Sequence, residues 1–456
     1  MLRRALRLVG LLGGGILLAA SVVPVVPPGE QQRPDPPEAA SAAEAERPDI
    51  ILLSVDTLRV DHLTPWGGDP AVAPALNALA AQSLRFRNTL CDVPLTAPSF
   101  AAMFTGRPPL SHGLTRNASR LPDEVPLLAE SLSRAGYHTV AVVGAWVLKA
   151  RLCGLNRGFV IYDDHMERYR WGVALGERDA AQVTDAALRY LAERPAGKPL
   201  FLWVHYIDPH APYRDHPGCT PPRPRGAESR QDRARRFYRG EVTWMDRHIA
   251  RLLRAIPESA VVVFIADHGE NLGEHGYFGH GRKLWQESLR IPLLLRIPGR
   301  SPGDMDAPAM AHDLAPTLLA LTGLDPLPGA DGFDLLNALP PADRPRFIQA
   351  YPGAVPPIPG IRRASDRATP LLSGVARGSY KWFADPRGGR AWLFNLDEDP
   401  AERYNLASGR PECRSALESL TREWLKSARF HRKDRALSFP GLAPADREVL
   451  RSLGYL

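Results

Sequence analysis

The sequence is poor in cysteine, with four cysteines among 456 residues. They are far apart, and no C-x-x-C pair or histidine cluster at zinc-ligand spacing accompanies them, which excludes a zinc finger and a dense disulfide framework. One or two disulfides remain open among Cys91, Cys153, Cys219 and Cys413. The chain also lacks an internal repeat of about 20–50 residues, which argues against a solenoid or a propeller.

The composition lacks the extremes that mark non-globular chains. Hydrophobic residues make up 44% of the sequence, charged residues 23% and aromatic residues 8%. These proportions exclude collagen-like, mucin-like and wholly disordered proteins, and the length can bury one large core or two smaller ones.

A formal net charge of +7 makes a nucleic-acid-binding protein the first class to consider. Two short segments hold this excess, namely Arg3, Arg4 and Arg7 at the N-terminus and the stretch 214–239, which has eight arginines and three acidic residues. The rest of the chain is close to neutral. We therefore expect no nucleic-acid partner.

The N-terminal residues have the pattern of an export signal. Three arginines precede an uncharged apolar run over residues 8–26, and Ala19 and Ser21 suit a cleavage site. The run is also close to the ~20 residues that span a bilayer. Residues 1–26 are thus either a cleaved signal peptide or a membrane anchor, and both place the rest in the periplasm or outside the cell. The Pro/Ala/Glu-rich residues 27–47 predict a linker.

Strand-like and helix-like segments alternate from residue 48 onward. Short apolar runs predict strands at 49–55, 138–143, 199–204, 260–265 and 291–297, and helical periodicity predicts helices at 73–83, 127–135, 179–193, 238–255 and 312–321. Residues 48–356 are thus expected to form an α/β layered domain, with a central, mostly parallel sheet flanked by helices. Strand-like pieces at 373–383 and 390–396 and a helix at 412–427 predict a smaller C-terminal α+β subdomain over 357–456.

The candidate site residues follow these strands, because ligands bind at the carboxyl ends of parallel strands. Asp56 ends the first strand, and Thr96 lies at or just before a helix N-terminus. Asp267 and His268 end a late strand, and a glycine-rich loop with His275 and His280 follows them. His205 and His210 flank the end of another strand. For Asp56 and Thr96 taken alone, a turn or a helix cap is the simpler explanation.

Taken together, these segments resemble the sulfatase family of the alkaline phosphatase superfamily, from about residue 49 to 324 with a weaker tail to 406. The match includes the acidic end of the first strand, a nucleophile position before Thr105-Gly106 and the late Asp-His pair. Further matching segments are Gly106-Arg107, Arg290-Ile291-Pro292 and 313–319. The resemblance implies an alkaline-phosphatase-like fold and a metal-dependent ester hydrolase or transferase.

The sequence departs from the sulfatase pattern at the reacting centre. Sulfatases convert a Cys or Ser in a C-x-P-x-R motif to formylglycine, whereas Thr96 and Phe100 occupy those two positions here. Threonine cannot yield the aldehyde. Thr57 stands where calcium-binding members often have a second Asp, and Ala145 replaces a sulfate-binding lysine. We therefore expect phosphate esters or phosphodiesters to be preferred to sulfate esters.

The remaining residues are similar to those of the phosphoethanolamine and phosphoglycerol transferases of the same superfamily. This resemblance implies that Thr96 is the nucleophile and that one divalent metal is held by Asp56, Thr96, Asp267 and His268. Because imidazole suits zinc or manganese, these are favoured, with calcium as a further option. The resemblance also implies that His205, His210 and His280 bind substrate or a second metal. The expected substrate is a small-molecule or lipid-headgroup ester.

Two other functions fit the same residues. One is a sulfuric ester hydrolase that works without formylglycine, and the other is a catalytically inert, membrane-tethered binding protein on the same fold. We also predict that the arginine-rich stretch 214–239 is a mobile loop beside the active-site mouth that attracts anionic substrates or headgroups. A solvated insertion without a role is the alternative.

Overall fold

The computed structural model describes residues 47–166, 177–351 and 370–429. The predicted leader, residues 27–46 of the predicted linker and the last 27 residues of the predicted C-terminal subdomain lie outside these ranges. Within them, no helix has the length and apolar character needed to cross a bilayer.

The described residues form sixteen strands and ten α-helices. The strands are β1 (Ile50–Val55), β2 (Leu84–Phe86), β3 (Thr89–Leu90), β4 (His138–Val143), β5 (Ile161–Asp163), β6 (Leu200–Tyr206), β7 (Val261–Ala266), β8 (Asn271–Leu272), β9 (Phe278–Gly279), β10 (Arg290–Ile291), β11 (Leu293–Arg296), β12 (Gly303–Met305), β13 (Arg346–Ala350), β14 (Leu372–Arg377), β15 (Tyr380–Ala384) and β16 (Ala391–Asn395). The helices are α1 (Pro74–Ala81), α2 (Thr96–Thr105), α3 (Pro109–His112), α4 (Leu128–Arg134), α5 (Ala150–Cys153), α6 (Ala180–Ala192), α7 (Arg230–Leu253), α8 (Gln286–Leu289), α9 (Leu314–Leu321) and α10 (Pro411–Arg429).

Eight of these strands form the central sheet, in the order β12-β2-β11-β7-β1-β6-β4-β5. The strands β7, β1, β6, β4 and β5 run parallel, while β11 is antiparallel to both of its neighbours. Every residue of β1, β6 and β7 is buried. A strand buried on both faces needs apolar side chains on both, which explains the unbroken apolar runs in the sequence. The expected mostly parallel α/β fold is confirmed.

The C-terminal part of the described chain has a separate antiparallel sheet of β13, β14, β15 and β16. Helix α10 packs against β14 and β15. The expected α+β subdomain is thus present, and its first strand comes from residues 346–350, earlier in the sequence than the boundary we placed after residue 356.

All four cysteines are free, so none of the disulfides that the sequence left open is formed. Three of them, Cys91, Cys153 and Cys219, are buried, and Cys413 is half-buried.

The arginine-rich stretch is a loop only in part: residues 214–229 lie in no helix or strand, whereas α7 begins at Arg230 and includes the last ten residues of the stretch. Several of its arginines are paired: Arg236 contacts Glu228 at 2.7 Å, and Arg239 contacts Asp69 at 2.6 Å. Arg235 reaches Glu274, in the glycine-rich loop, at 3.0 Å. The start of α7 therefore packs beside this loop as an ordered helix.

Candidate active site

Three adjacent parallel strands bring the first group of candidate residues together. Asp56 follows β1, Asp267 follows β7, and His205 lies near the end of β6, opposite Ser54 of β1. Since β1 is flanked by β6 and β7, these side chains meet at one edge of the sheet. Asp56, His205 and Asp267 are buried, and each offers a ligand atom within 4.8 Å of the others.

The Asp267 carboxylate is oriented by two backbone amides. Its Oδ1 accepts hydrogen bonds from the backbone N–H of Thr57 at 3.1 Å and of His268 at 2.7 Å. Thr57 itself has a left-handed φ of 57°, a strained conformation for a β-branched residue. These contacts leave Asp267 Oδ2 facing His268 Nε2 at 3.5 Å.

Several buried ligand-type atoms have no hydrogen-bond partner among the described residues. They are Asp56 Oδ1, Asp267 Oδ2, His268 Nε2 and both ring nitrogens of His205. His268 Nε2 lies 3.7 Å from Asp56 Oδ1, and His205 Nε2 lies 3.9 Å from Asp56 Oδ2. Buried polar atoms are normally paired, so a cluster of unpaired oxygens and imidazole nitrogens fits a bound cation.

The charges of the cluster also favour a bound cation. Burial and the nearby carboxylates of Asp267, Glu270 and Glu177 raise the pKa of Asp56 well above its usual value. Burial also raises the pKa of Asp267, and it lowers the pKa of His205 to about 3. Like charges this close and this deeply buried require a counter-charge. A divalent cation would supply it.

The imidazole of His268 is held in the form that a metal ligand requires. Its Nδ1 lies 3.0 Å from the backbone oxygen of Gly269, which can only accept, so Nδ1 carries the hydrogen. Burial and the neighbouring histidines lower the pKa of His268 well below its usual value, which keeps the ring neutral. Nε2 therefore presents a lone pair to the two carboxylates.

Thr96 is the first residue of α2 and is fully buried. Its hydroxyl donates to Asp56 Oδ2 at 3.4 Å. The residue before it, Leu95, makes no side-chain cap, and the Ala97 N–H is instead satisfied by the side-chain oxygen of Asn117 at 2.9 Å. Thr96 thus faces the carboxylate cluster and does not act as a helix cap.

The other two histidines lie next to His268. The ring centroid of His280 is 4.4 Å from that of His268 and 5.2 Å from that of His210. His210 Nδ1 contacts the Ala211 carbonyl oxygen at 2.5 Å, and His280 Nδ1 contacts Glu270 Oε1 at 3.2 Å. Glu270 thus contacts the Nδ1 edge of the His280 ring. His210 and His280 therefore form a second group beside the first, whereas His205 belongs with Asp56 and Asp267.

His275, the other histidine of the glycine-rich loop, lies apart from this group. Its ring stacks on Trp285 at 4.0 Å, and its Nε2 lies 3.4 Å from Glu287 Oε1.

The positions that depart from the sulfatase pattern are apolar here. Phe100, at the arginine position, packs edge-on against His205 with ring centroids 5.1 Å apart. Ala145, at the lysine position, is buried just after β4. The site therefore has no cationic side chain at either position.

Two functional candidates were missed by the sequence reasoning. Asn117 lies in a turn whose buried Thr115 Oγ1, Asn117 Nδ2 and Ser119 Oγ have no hydrogen-bond partner among the described residues. Its contact with Ala97 places that amide beside the start of α2. Glu270 lay in the glycine-rich segment and received no role. No sequence motif around Asn117 could have predicted its role, because its hydrogen bond with Ala97 joins residues 20 positions apart.

Two further groups of metal-ligand-type residues lie elsewhere in the described ranges. In the group Asp208, His216 and Glu241, His216 Nε2 bonds to Glu241 Oε2 at 2.7 Å. In the group His275, Glu287 and Glu402, the Glu402 carboxylate pairs with Lys381 at 2.6 Å. Hydrogen bonds and ion pairs account for these contacts, so we assign no metal to either group.

Comparisons with known proteins agree with this geometry. The family model described as Sulfatase matches residues 48–324. The ulvan-active sulfatase of Formosa agariphila is 27% identical over 425 residues, which cover 81% of this chain and 78% of that protein. A solved structure in complex with its substrate D-glucosamine-2-N,6-O-disulfate has a TM-score of 0.69 at 19% identity and covers 85% of this chain and 100% of its own. The phosphonate monoester hydrolase of Silicibacter pomeroyi has a TM-score of 0.64 at 21% identity, with coverages of 87% and 98%.

The family match spans more than half of the chain and includes every residue of the strand-end cluster, Thr96 and the glycine-rich loop. The chain therefore belongs to the sulfatase family of hydrolases.

Proposed function

We propose that this protein is a metal-dependent hydrolase or transferase of phosphate esters, mono- or diesters, in which Thr96 is the nucleophile. One observation carries the proposal: the Thr96 hydroxyl contacts Asp56 Oδ2 at 3.4 Å, beside buried ligand atoms of Asp56, Asp267 and His268 that have no other partner in the described ranges. A hydroxyl in this position is placed to act on an ester bound at the same atoms.

Asp56, Asp267, His268 and Thr96 would hold the cation. The mixture of carboxylates with a neutral imidazole favours zinc or manganese over calcium, which prefers oxygen ligands alone. When bound, a divalent cation would lower the pKa of the Thr96 hydroxyl and neutralise charge on the ester oxygens.

The protein's own residues then account for the bond changes. Thr96 Oγ1 attacks phosphorus and gives up its proton toward Asp56 Oδ2, the acceptor 3.4 Å away. The bond from phosphorus to the alcohol oxygen breaks, the leaving group departs as an alkoxide with that electron pair and takes a proton from water, and the phosphoryl group stays on Thr96. The oxygen of water or of an acceptor alcohol then attacks phosphorus and loses its proton, while the bond from phosphorus to Oγ1 breaks and Oγ1 takes back the proton held by Asp56. The start of α2 and the Asn117 amide, which contacts Ala97 beside Thr96, would stabilise negative charge on Oγ1.

His210 and His280 would contact the ester or hold a second cation, since both rings lie beside His268, with centroid distances of 4.4 Å from His280 to His268 and 5.2 Å from His280 to His210. Buried acidic residues place negative charge near both rings: Glu270 and Glu177 act on His210, and Glu270 and Asp267 act on His280. This negative charge supports a second cation over a purely anionic ligand at His210 and His280.

Hydrolysis of sulfate esters without formylglycine is the second candidate, and the names of relatives such as the ulvan-active sulfatase support it. The apolar Phe100 and Ala145 weigh against it, because the cationic positions expected for sulfate are missing. A catalytically inert binding protein on this fold would bind a ligand without turning it over.

A substrate panel tests the proposal. The metal-loaded protein is assayed on p-nitrophenyl phosphate, bis-p-nitrophenyl phosphate and p-nitrophenyl sulfate with added zinc, manganese or calcium. We expect turnover of a phosphate ester to exceed that of the sulfate, and mass spectrometry of acid-quenched protein to find phosphate on Thr96. Faster sulfate turnover would select the second candidate, and no turnover with full metal loading would select the inert one.

We also propose that the activity lies outside the cytoplasm, on the basis of the leader pattern in residues 1–26. If the leader is retained, the protein is tethered to the membrane, and a lipid-headgroup ester becomes the natural substrate. N-terminal sequencing of protein from fractionated cells tests this. A mature chain that begins after Ser21 indicates a cleaved signal, a membrane-bound full chain indicates an anchor, and recovery in the cytoplasm contradicts export.

A further inference from the structure

Glu270 is a fully buried carboxylate that none of the steps above uses. It follows His268 by two residues and comes just before the hairpin formed by β8 and β9. The hairpin ends directly before His280, so Glu270 and His280 lie at its two ends. A buried carboxylate at this place needs a partner or a role.

Its partner is the histidine at the other end of the hairpin. Glu270 Oε1 lies 3.2 Å from His280 Nδ1. The backbones of both residues are also held: the Glu270 carbonyl accepts from Arg59 Nη1 at 3.3 Å, and the His280 carbonyl accepts from the Tyr277 hydroxyl at 2.8 Å. The contact is therefore part of a rigid frame and does not depend on a substrate to form it.

The contacts of Glu270 differ from those of the strand-end cluster. The cluster whose ligand atoms lie within 4.8 Å of one another contains Asp56, His205 and Asp267, and Glu270 is absent from it. Glu270 instead contacts the Nδ1 edge of His280, while the same ring packs against His268 at a centroid distance of 4.4 Å. Glu270 thus contacts the ring that lies next to the site.

We infer that Glu270 is a positioning residue that fixes the ring of His280 so that Nε2, and not Nδ1, is presented to the ester or the second cation. The inference rests on the proposed function, in which His280 makes that contact. The carboxylate accepts from Nδ1, and a ring flip of His280 would put Cδ2 in the place of Nδ1 and lose this hydrogen bond. Carboxylates behind a functional imidazole orient it in this way in other proteins.

A double-mutant cycle tests whether Glu270 acts through His280. Wild type, Glu270→Ala, His280→Ala and the double variant are prepared as full chains, loaded with metal and assayed on bis-p-nitrophenyl phosphate. We expect Glu270→Ala to lower kcat by about 10- to 100-fold with little change in KM. In the His280→Ala background the same substitution should have no further effect. Losses that multiply in the double variant would overturn the inference.

Two more variants separate position from charge. Glu270→Gln removes the charge but keeps a side-chain oxygen at the same distance from the backbone. It should therefore have most of the wild-type kcat, unlike Glu270→Ala. Glu270→Asp keeps the charge but withdraws the carboxylate by one methylene, so it should remain impaired. The reverse order would show that the buried charge matters and not the position, and would also overturn the inference. This comparison holds even where Glu270→Ala folds poorly.

Glu274→Gln is the matched control. Glu274 belongs to the same loop, but its carboxylate pairs with Arg59 at 2.9 Å and Arg235 at 3.0 Å. Any loss of kcat caused by Glu274→Gln should therefore multiply with the loss caused by His280→Ala.

Failure of the proposed function itself would show in the single variant His280→Ala. If His280→Ala keeps wild-type kcat and KM on every ester that the enzyme turns over, His280 has no contact for Glu270 to position.

Discussion

Thr96 owes its proposed role to its surroundings more than to its residue type. It is buried at the first position of α2, and its hydroxyl faces the Asp56 carboxylate. Thr105, at the other end of the same helix, is equally buried but donates to the Ala101 carbonyl oxygen at 2.7 Å. Two buried threonines at the ends of one helix thus have different hydrogen-bond partners, a carboxylate for Thr96 and backbone groups for Thr105.

This pair gives a direct test of the nucleophile. We expect Thr96→Ala to lower kcat on phosphate esters by about 10³-fold or more, because the attacking oxygen is lost. Thr96→Ser should retain measurable turnover. Thr105→Ala is the control and should leave kcat near the wild-type value. Equal turnover by Thr96→Ala and wild type, both folded and metal-loaded, would refute the assignment.

The two strand-end carboxylates predict how pH and metal affect stability. Burial raises the pKa of Asp267 from the ordinary 3.8 to about 7, and the pKa of Asp56 is raised as well. A folded-state pKa above the unfolded value means that the metal-free protein loses stability as pH rises through this window. The buried, neutral His205 and His268 act in the opposite sense over part of this window, so the carboxylate effect is measured against the variant Asp56→Asn/Asp267→Asn. We expect the melting temperature of chelator-treated wild type, relative to that variant, to fall between about pH 4 and about pH 7.

Added zinc or manganese should reverse this loss, with a larger rise in melting temperature at about pH 8 than at about pH 5, since the metal needs deprotonated carboxylates. Thermal melts with and without metal measure the effect. The double variant Asp56→Asn/Asp267→Asn, which lacks both carboxylates, should show no rise on metal addition. A metal-independent melting curve for the wild type would contradict the proposed site.

At the scale of elements, α7 stabilises the start of another helix. Its Asp246 accepts from the backbone N–H groups of Ala75 at 2.9 Å and Leu76 at 2.8 Å, at the first turn of α1. The residue before α1, Ala73, provides no side-chain cap. One helix thus satisfies the N-terminal amides of its neighbour, which would otherwise be buried without partners.

We expect Asp246→Ala to lower the free energy of unfolding by about 1–3 kcal/mol, because one buried and one half-buried N–H group lose their acceptor. Urea denaturation measures the loss. The control is Asp185→Ala on α6, where an exposed carboxylate pairs with Arg251 and should contribute less than about 1 kcal/mol. An Asp246→Ala variant as stable as this control would show that α1 does not need the cap.

Most elements of the core could be predicted from the sequence, because a strand buried on both faces leaves an unbroken apolar run. The run at 138–143 corresponds to β4, and 49–55 and 260–265 each lie within one residue of β1 and β7. Helix α7 was harder to predict. Its first turns are polar and arginine-rich and are held by ion pairs with Glu228, Asp69 and Glu274, which no periodicity in the sequence reveals.

The residues of the candidate site were also predictable only in part. Asp56, Asp267 and His268 could be predicted because each follows an apolar strand. Which histidine belongs to which group could not be predicted, because that depends on the register that pairs His205 with Ser54. Asn117 reaches Ala97 across 20 residues through a turn with no marking motif.

At the scale of the whole molecule, a buried ion pair links the C-terminal sheet to the catalytic part. Lys381 on β15 and Glu402 beyond β16 are fully buried and contact each other at 2.6 Å. The other oxygen of Glu402 accepts from the Gln286 N–H at 2.8 Å, at the start of α8. Burial lowers the pKa of Lys381 and raises the pKa of Glu402, so each needs the other to stay charged.

We expect Lys381→Met to lower the free energy of unfolding by about 3–5 kcal/mol, because Glu402 is left buried and unpaired. The double variant Lys381→Met/Glu402→Gln should regain a large part of this loss, since no lone charge remains and the contact with Gln286 is kept. Chemical denaturation of the four proteins in the cycle measures both effects. A double variant less stable than Lys381→Met would contradict this view of the pair.

The residue at the start of α2 also has a consequence for how the enzyme is made. Sulfatases that carry the Cys or Ser of the C-x-P-x-R motif need that residue converted to formylglycine. A threonine that faces the Asp56 carboxylate in the unmodified polypeptide needs no such step. The protein should therefore reach full activity in any expression host that supplies the metal, whether or not that host forms formylglycine.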